Sequence, residues 1–209
     1  TRSLVLQVDS GFYDDKWHIV YGGRLDHYSD FGNQQTPRAG IIYHPDEQSA
    51  IKLLYGEAFR APNFLELAST TTTLNPELIT TYELVFMKQA RNWKSEMVFF
   101  NSHWRDRIVL DNFSVATGDF GNLGSNQSKG IEFSVNWVED LWATDANVSY
   151  VKSQDNSANF DFDGFPRYIF NWGLSYKFPK YQSEIFMTNQ VLHDMQEGSI
   201  LEHVVEQTN

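Results

Sequence analysis

The sequence predicts an all-β chain, an antiparallel up-and-down meander of about ten strands with the pattern of a transmembrane β-barrel wall. Three observations lead there. Large apolar and aromatic residues recur at every second position over long stretches, which is the period of a strand. Short turns alternate with long polar loops, the layout of an outer-membrane barrel with turns on one side and loops on the other. No helical apolar stripe appears, and no run of about 18 apolar residues that could make a transmembrane helix. A membrane strand needs only about 9–11 residues with every second one apolar, so a mean hydropathy of -0.44 is compatible with it.

Along the chain, alternating sequence begins directly after Thr1, with no signal-peptide pattern before it. Trp17, Ile19, Tyr21 and Leu25 then oppose His18, Arg24 and Asp26. Ile51, Leu53 and Tyr55 oppose Lys52, and Tyr82 and Leu84 oppose Glu83. In the next strand Val98, Phe100, Trp104 and Ile108 are assigned to the aromatic face, against Asn101, His103, Arg105 and Arg107. Ile131, Phe133, Val135 and Trp137 oppose Gly130, Glu132, Ser134 and Asn136. Trp142, Val148 and Tyr150 oppose Asp145, Asn147 and Ser149. The cleanest case comes last: Tyr168, Phe170, Trp172, Leu174, Tyr176 and Phe178 share one face. Short turns are expected near residues 13–16, 44–48, 89–93, 138–141 and 178–181, and long loops near 29–35, 57–80, 112–121, 154–165 and 193–199.

The opposite face carries Arg24, Asp26, Lys52, Glu83, Glu132, Asn136 and Arg167. A sandwich core would not accept these groups without partners, whereas a wet or plug-filled lumen would. The aromatic face then looks at lipid, with Trp17, Trp137, Trp142, Tyr168, Trp172 and Phe178 as girdle candidates. A soluble β-sandwich carbohydrate-binding module remains as a second reading, with the aromatic face as its core. A passive porin-like pore is a third. All six prolines fall at strand starts or in loops, where a missing donor is tolerated.

Catalytic and metal chemistry find no support. There is no cysteine, hence no disulfide framework or thiolate site. The six histidines show no zinc-ligand spacing. Asn159, Asp161, Asp163 and Gly164 imitate the start of a calcium loop, but Phe170 stands where the bidentate glutamate belongs, so an acidic loop tip is expected. Gly118, Gly121 and Gly124 read as loop glycines entering the strand that continues to Gly130, because no βαβ unit surrounds them. Ser102 and His103 are adjacent on a strand and point to opposite faces, so they form no nucleophile–base pair. A net charge of -11 without a basic run argues against nucleic acid. No enzyme, cofactor or metal site is expected.

Several segments together resemble TonB-dependent outer-membrane receptors. They are FRAPN (residues 59–63), NPEL (75–78) and TYEL (81–84), together with GGRLDHYSDFG (22–32), TPRAGIIYHP (36–45), MVFFNSHWRDRIVL (97–110) and GNLGSNQSKGIEFSV (121–135). The resemblance implies a barrel of about 22 strands, of which residues 1–209 would be a middle-to-late portion without the plug domain, the early strands or the closing ones. It implies uptake of a scarce bulky ligand, a ferric siderophore in the commonest case, with cobalamin or haem as other ligands. The implied partners are that ligand, TonB acting through the plug, and outer-membrane lipid. Ligand contacts are expected on external loops and the upper lumen, with Tyr28, Phe31, Arg60, Phe64, His103, Phe113, Phe120 and Arg167 as candidates. Aromatics and arginines there would suit an anionic or aromatic iron chelate. Arg60 is also expected to pair with Glu57 or Glu66 and fix the loop base. The threonine run 70–73 is expected to cross the outside as a mobile loop.

Overall fold

The computed structural model describes residues 2–29, 31–70, 73–110, 119–155 and 166–195. Ten strands follow one another: β1 (Arg2–Phe12), β2 (Trp17–Tyr28), β3 (Gly32–Tyr43), β4 (Ser49–Arg60), β5 (Glu77–Gln89), β6 (Trp93–Leu110), β7 (Phe120–Val138), β8 (Trp142–Asp155), β9 (Pro166–Phe178) and β10 (Ser183–Met195). One short helix, α1 (Phe64–Ala68), lies between β4 and β5, and a single 3₁₀ turn (Pro179–Tyr181) joins β9 to β10. All ten strands form one sheet in sequence order, each antiparallel to the next. The sheet is not closed, and the two-sheet sandwich does not form.

Register fixes which side chains share a face, because residues directly opposite in an antiparallel pair point the same way. One row shows this: Leu53 opposes Leu84, Leu84 opposes Phe99, Phe99 opposes Ile131, Ile131 opposes Tyr150, and Tyr150 opposes Tyr168. That face is apolar over its middle. Leu53, Leu84, Phe133, Val148 and Phe170 are all exposed on it. Aromatics mark its borders. Trp17 meets Tyr43 (4.4 Å between centroids) and Trp137 meets Trp142 (6.2 Å) at the short-turn end. Tyr55 meets Tyr82 (5.1 Å) and Tyr150 meets Tyr168 (5.0 Å) at the loop end. Trp142 and Tyr150 are eight residues apart on β8, about 27 Å along the strand. Tilted by about 35–45°, that stretch rises about 19–22 Å through the membrane, somewhat under the apolar band of about 25 Å that girdles flank. Trp172 is not a girdle residue: it sits inside the band, its indole N–H donating to the Thr144 hydroxyl at 3.1 Å.

The opposite face is largely polar, and several of its side chains hydrogen-bond across strands. Gln190 donates to Asn171 and Asn171 to Asn147, both at 2.8 Å, while Thr81 pairs with Ser102 (3.0 Å) and Ser128 with Ser153 (2.8 Å). Gly130 lies on this face beneath the Phe100 ring. A Cβ there would fall 2.2 Å from the Tyr150 carbonyl oxygen, so no larger residue fits the close approach of β7 to β8.

Faces and element bounds differ from the sequence expectation in four places. On β6, Met97 and Phe99 lie on the apolar face, opposite Phe86 and Leu84, while Val98, Phe100 and Trp104 lie on the polar one. Residues 97–100 are all apolar, so period two cannot choose a face and the neighbouring strands do. The loop expected at 29–35 shrinks to residues 29–31, because β3 begins at Gly32, whose φ of +74° suits glycine. Gly121 and Gly124 belong to β7 rather than to a loop. Finally, the 57–80 loop narrows to residues 61–76 and contains α1.

β6 and β7 run 18 and 19 residues, well beyond the 9–11 or so that cross a bilayer. Their extra length stands above the external girdle. There the pairing shifts twice, between Trp104 and Arg107 and again at Ile108, with Asp106 at a φ of +55°. Aspartate tolerates that left-handed conformation, and the bulge turns both Arg107 and Ile108 into buried positions.

Candidate functional site

The loop end of the polar face holds the most elaborate side-chain cluster among the described residues. β4 ends on Arg60 and β5 begins on Glu77, directly opposite it. The Arg60 guanidinium donates twice to the Glu77 carboxylate, at 2.6 and 2.7 Å, and twice to Glu66, at 3.0 and 3.1 Å. Glu77 also accepts the Ile108 backbone N–H from the β6 bulge at 2.7 Å. Glu66 closes a capping box on α1: its backbone N–H donates to the Asn63 side chain (3.0 Å) and its carboxylate accepts the Asn63 N–H (2.7 Å). Both carboxylates are buried, at 7% and 2% exposure, while the Arg60 side chain keeps 45%. Two buried acids thus share one arginine whose planar fork serves both.

A second clamp holds the far half of the loop. The Asn122 side chain of β7 accepts the Asn75 N–H (2.7 Å) and donates to the carbonyls of Asn75 (2.9 Å) and Asp106 (2.6 Å). The Thr70 hydroxyl donates to the Phe120 carbonyl at 2.8 Å. Pro62, Leu74 and Pro76 are buried beneath these bonds. The loop is therefore tied across β5 and β6 to β7, contrary to the free crossing expected for the threonine run; Thr71 and Thr72 lie outside the described residues.

Beside this lock lies a concavity of about 870 Å³. Arg60, Glu77, Trp104, Arg107, Phe120 and Ile169 are among its walls, and its lining is mostly apolar. The Arg107 guanidinium stacks over Trp104 at 4.7 Å. The buried Trp104 indole N–H has no acceptor among the described residues.

Of the residues singled out from sequence, Arg60 and Phe120 come together at this concavity. Arg60 pairs with Glu66 as expected, but not with Glu57, whose carboxylate accepts the Tyr55 hydroxyl instead. Tyr28 and Phe31 form a separate aromatic group, 4.6 Å apart, with Phe59 at 5.8 Å from Tyr28. Phe64 stands 86% exposed on α1. Arg167 pairs with Asp194 at 3.3 Å. His103 opposes Gln127 on the apolar-band side and so points away from the polar face. Phe113 lies outside the described residues, as does the acidic tip at 159–164. Glu77, Trp104, Arg107 and Asn122 escaped the sequence reading. Glu77 stood inside the NPEL segment, and its position at the mouth of the strand facing Arg60 was the available signal.

A single-sheet wall with a lipid-facing aromatic-bordered band, a polar inner face and long strands projecting on the loop side defines the class: an outer-membrane β-barrel protein. The particular family follows from comparison. The model of the TonB dependent receptor-like β-barrel matches residues 1–193, and the chain belongs to that family. It is similar to the iron-regulated outer membrane virulence protein of Vibrio cholerae, with 21% identity over 80% of this chain and 31% of that protein. The vitamin B12 transporter BtuB of V. cholerae is 22% identical over 75% of this chain and 26% of its own length. Among solved structures, the siderophore receptor PirA of Pseudomonas aeruginosa superimposes with a TM-score of 0.68 at 17% identity, covering 90% of this chain and 40% of that one. The chain thus spans between about a quarter and two fifths of the proteins it matches. The family is one of receptors, the relatives named include an outer membrane protein, a transporter and a receptor, and family and relatives place the chain in the bacterial outer membrane.

Proposed function

We propose that this chain is wall and loop of an outer-membrane receptor that takes up a ferric siderophore, energised by TonB through a plug domain. The observation that carries the reading is the concavity at the loop end of the inner face. It has the size of a small-molecule site, and it combines apolar walls with the Trp104–Arg107 stack and Arg60. An iron chelate is bulky, often anionic and rich in flat groups, and an arginine stacked on an indole suits it in both charge and shape. Trp104, Arg107 and Phe120 are the proposed contacts, with Arg60 holding the rim. The locked loop keeps that rim open to the outside.

The test is uptake by cells that carry the full-length receptor as their one route. Radiolabelled iron is offered on catecholate and hydroxamate siderophores, and labelled cobalamin in parallel, with and without TonB. The reading expects TonB-dependent accumulation of one ferric siderophore. Accumulation of cobalamin alone would transfer the site to that ligand, and TonB-independent passage of small solutes would replace the receptor by a pore.

A further inference from the structure

The loop end of the inner face carries little unbalanced positive charge. Arg24 pairs with Asp26 at 2.7 Å, and Arg167 with Asp194 at 3.3 Å. Arg60 pairs with both Glu77 and Glu66, at 2.6 and 3.0 Å. Around the concavity the described walls hold two cations, Arg60 and Arg107. Against them stand Glu77 in the wall and Glu66 on Arg60, both buried. These four side chains sum to no net charge. The connections on this side of the sheet add no base. Residues 29–31, 61–76, 111–119 and 156–165 contain Asp30, Glu66, Asp111, Asp119, Asp161 and Asp163, and not one Lys or Arg.

The rest of the wall offers neutral chemistry. Val109, Leu110, Val151 and Ile169 are apolar, while Asn126, Ser128 and Ser153 are uncharged hydrogen-bonding groups. The buried Trp104 indole N–H, which has no acceptor among the described residues, is a neutral donor. A polyanion entering these walls gives up its water and meets no surplus of cations, and burying a charge without a partner is costly. The acids of the connections also repel it on approach. An uncharged chelate escapes both penalties and loses only hydrogen bonds that amide, hydroxyl and indole groups can replace. Iron chelates divide along this line. In a ferric trihydroxamate the singly charged ligands balance the ferric ion, whereas doubly charged catecholates leave the complex with a triple negative charge. On the siderophore reading of this site, we infer that the concavity takes an uncharged ferric hydroxamate and excludes the polyanionic catecholate class. Arg107 then serves as the flat partner of Trp104, its charge offset by the carboxylates of the lock.

The test uses the purified full-length receptor in an uncharged detergent with two radioiron-labelled chelates. Ferrichrome is an uncharged trihydroxamate complex, and ferric enterobactin is a tricatecholate complex. Filter retention reads each affinity at low and at high salt. At low salt ferrichrome is expected to bind at least about tenfold more tightly, the Coulomb effect of one unit charge on a triple one across about 8 Å of water-like medium. Raising the salt should narrow that ratio, because charge rather than shape sets it. Val151→Lys puts a cation into the wall and should tighten ferric enterobactin by about tenfold on the same Coulomb argument. Val151→Met, which brings no charge, should not. Heat-modifiable gel migration verifies folding, and Asn126→Lys replaces Val151→Lys if that variant does not fold. Tighter binding of ferric enterobactin by the unaltered receptor, a ratio that salt leaves unchanged, or no gain in the folded lysine variant would each overturn the inference while the siderophore reading stands. Binding of neither chelate, with cobalamin retained, would remove the siderophore reading and the inference with it.

Discussion

The outer face of the wall and the loop end of its inner face are made by the same ten strands, yet they are held by different physics. The outer face is regular: alternate apolar residues, bordered by Trp17, Tyr43, Trp137 and Trp142 below and by Tyr55, Tyr82, Tyr150 and Tyr168 above. Each residue there contributes by transfer into lipid, and neighbours act nearly independently. The inner loop end is irregular and cooperative. Arg60, Glu66, Glu77, Asn63 and the Ile108 N–H satisfy one another, and Asn122 separately ties Asn75 to the Asp106 carbonyl. One face tolerates exchange of any apolar residue for another. The other depends on particular partners.

The sharpest way to break this contrast is Glu77→Ala. It removes the paired acceptor of Arg60 and the acceptor of the buried Ile108 N–H together. Removing one member of a buried ion pair costs about 3–5 kcal/mol, and the half-exposed Arg60 places this case near about 3. Urea unfolding of the full-length receptor in micelles should show that loss, with proteolysis of residues 61–76 appearing at the same time. A charge on the outer face should cost a similar or slightly smaller amount for a different reason. Phe133→Arg puts a guanidinium into the apolar band, at about 2–4 kcal/mol near mid-membrane, whereas Phe133→Leu should cost little. The same unfolding assay compares the two.

Smaller effects refine the picture. Asn63→Ala removes the capping box of the five-residue helix and is expected to cost about 1 kcal/mol. It should loosen α1 while the Asn122 clamp holds, so hydrogen exchange should rise around residues 64–68 more than at residue 75. The smallest effect is one of pH at the turn side. The Asp46 carboxyl is held below its ordinary value by the Gln48 N–H and the Ser49 hydroxyl. That of Glu139 is held down by the Trp137 indole and the Asn92 amide. Carboxyls depressed in the folded state add stability that is full above their unfolded values and is lost as pH falls through the folded ones. A shallow decline in unfolding midpoint is therefore expected only below about pH 4. Asp46→Asn with Glu139→Gln should flatten it.

The outer face was legible in the sequence because membrane strands advertise themselves by period two, and long stretches of β7, β8 and β9 place apolar or aromatic residues at alternate positions. β6 was misread where Met97, Val98, Phe99 and Phe100 gave both faces the same chemistry, so that only pairing with Leu84 and Ile131 could orient them. The inner site was legible only in part. Glu66 lies six residues from Arg60 and was within reach of local reasoning. Glu77 is 17 residues away and Asn122 lies 47 from Asn75, so their partnerships follow from strand register and from a bulge at Asp106 that no local pattern announces.

One face of this wall meets lipid and the other the barrel interior. Residues 1–209 hold no cysteine, so single cysteines placed at Phe133 and at its neighbour Glu132, in a full-length receptor cleared of any cysteine elsewhere, can be labelled with a nitroxide. Power-saturation measurements in vesicles would compare collision with oxygen, which partitions into lipid, and with a water-soluble nickel chelate. Oxygen-dominated relaxation is expected at 133 and chelate-dominated or sterically shielded relaxation at 132, with the same alternation at 147–148 and 170–171. Equal accessibility at adjacent positions, or oxygen dominance at 132, would contradict that assignment of faces.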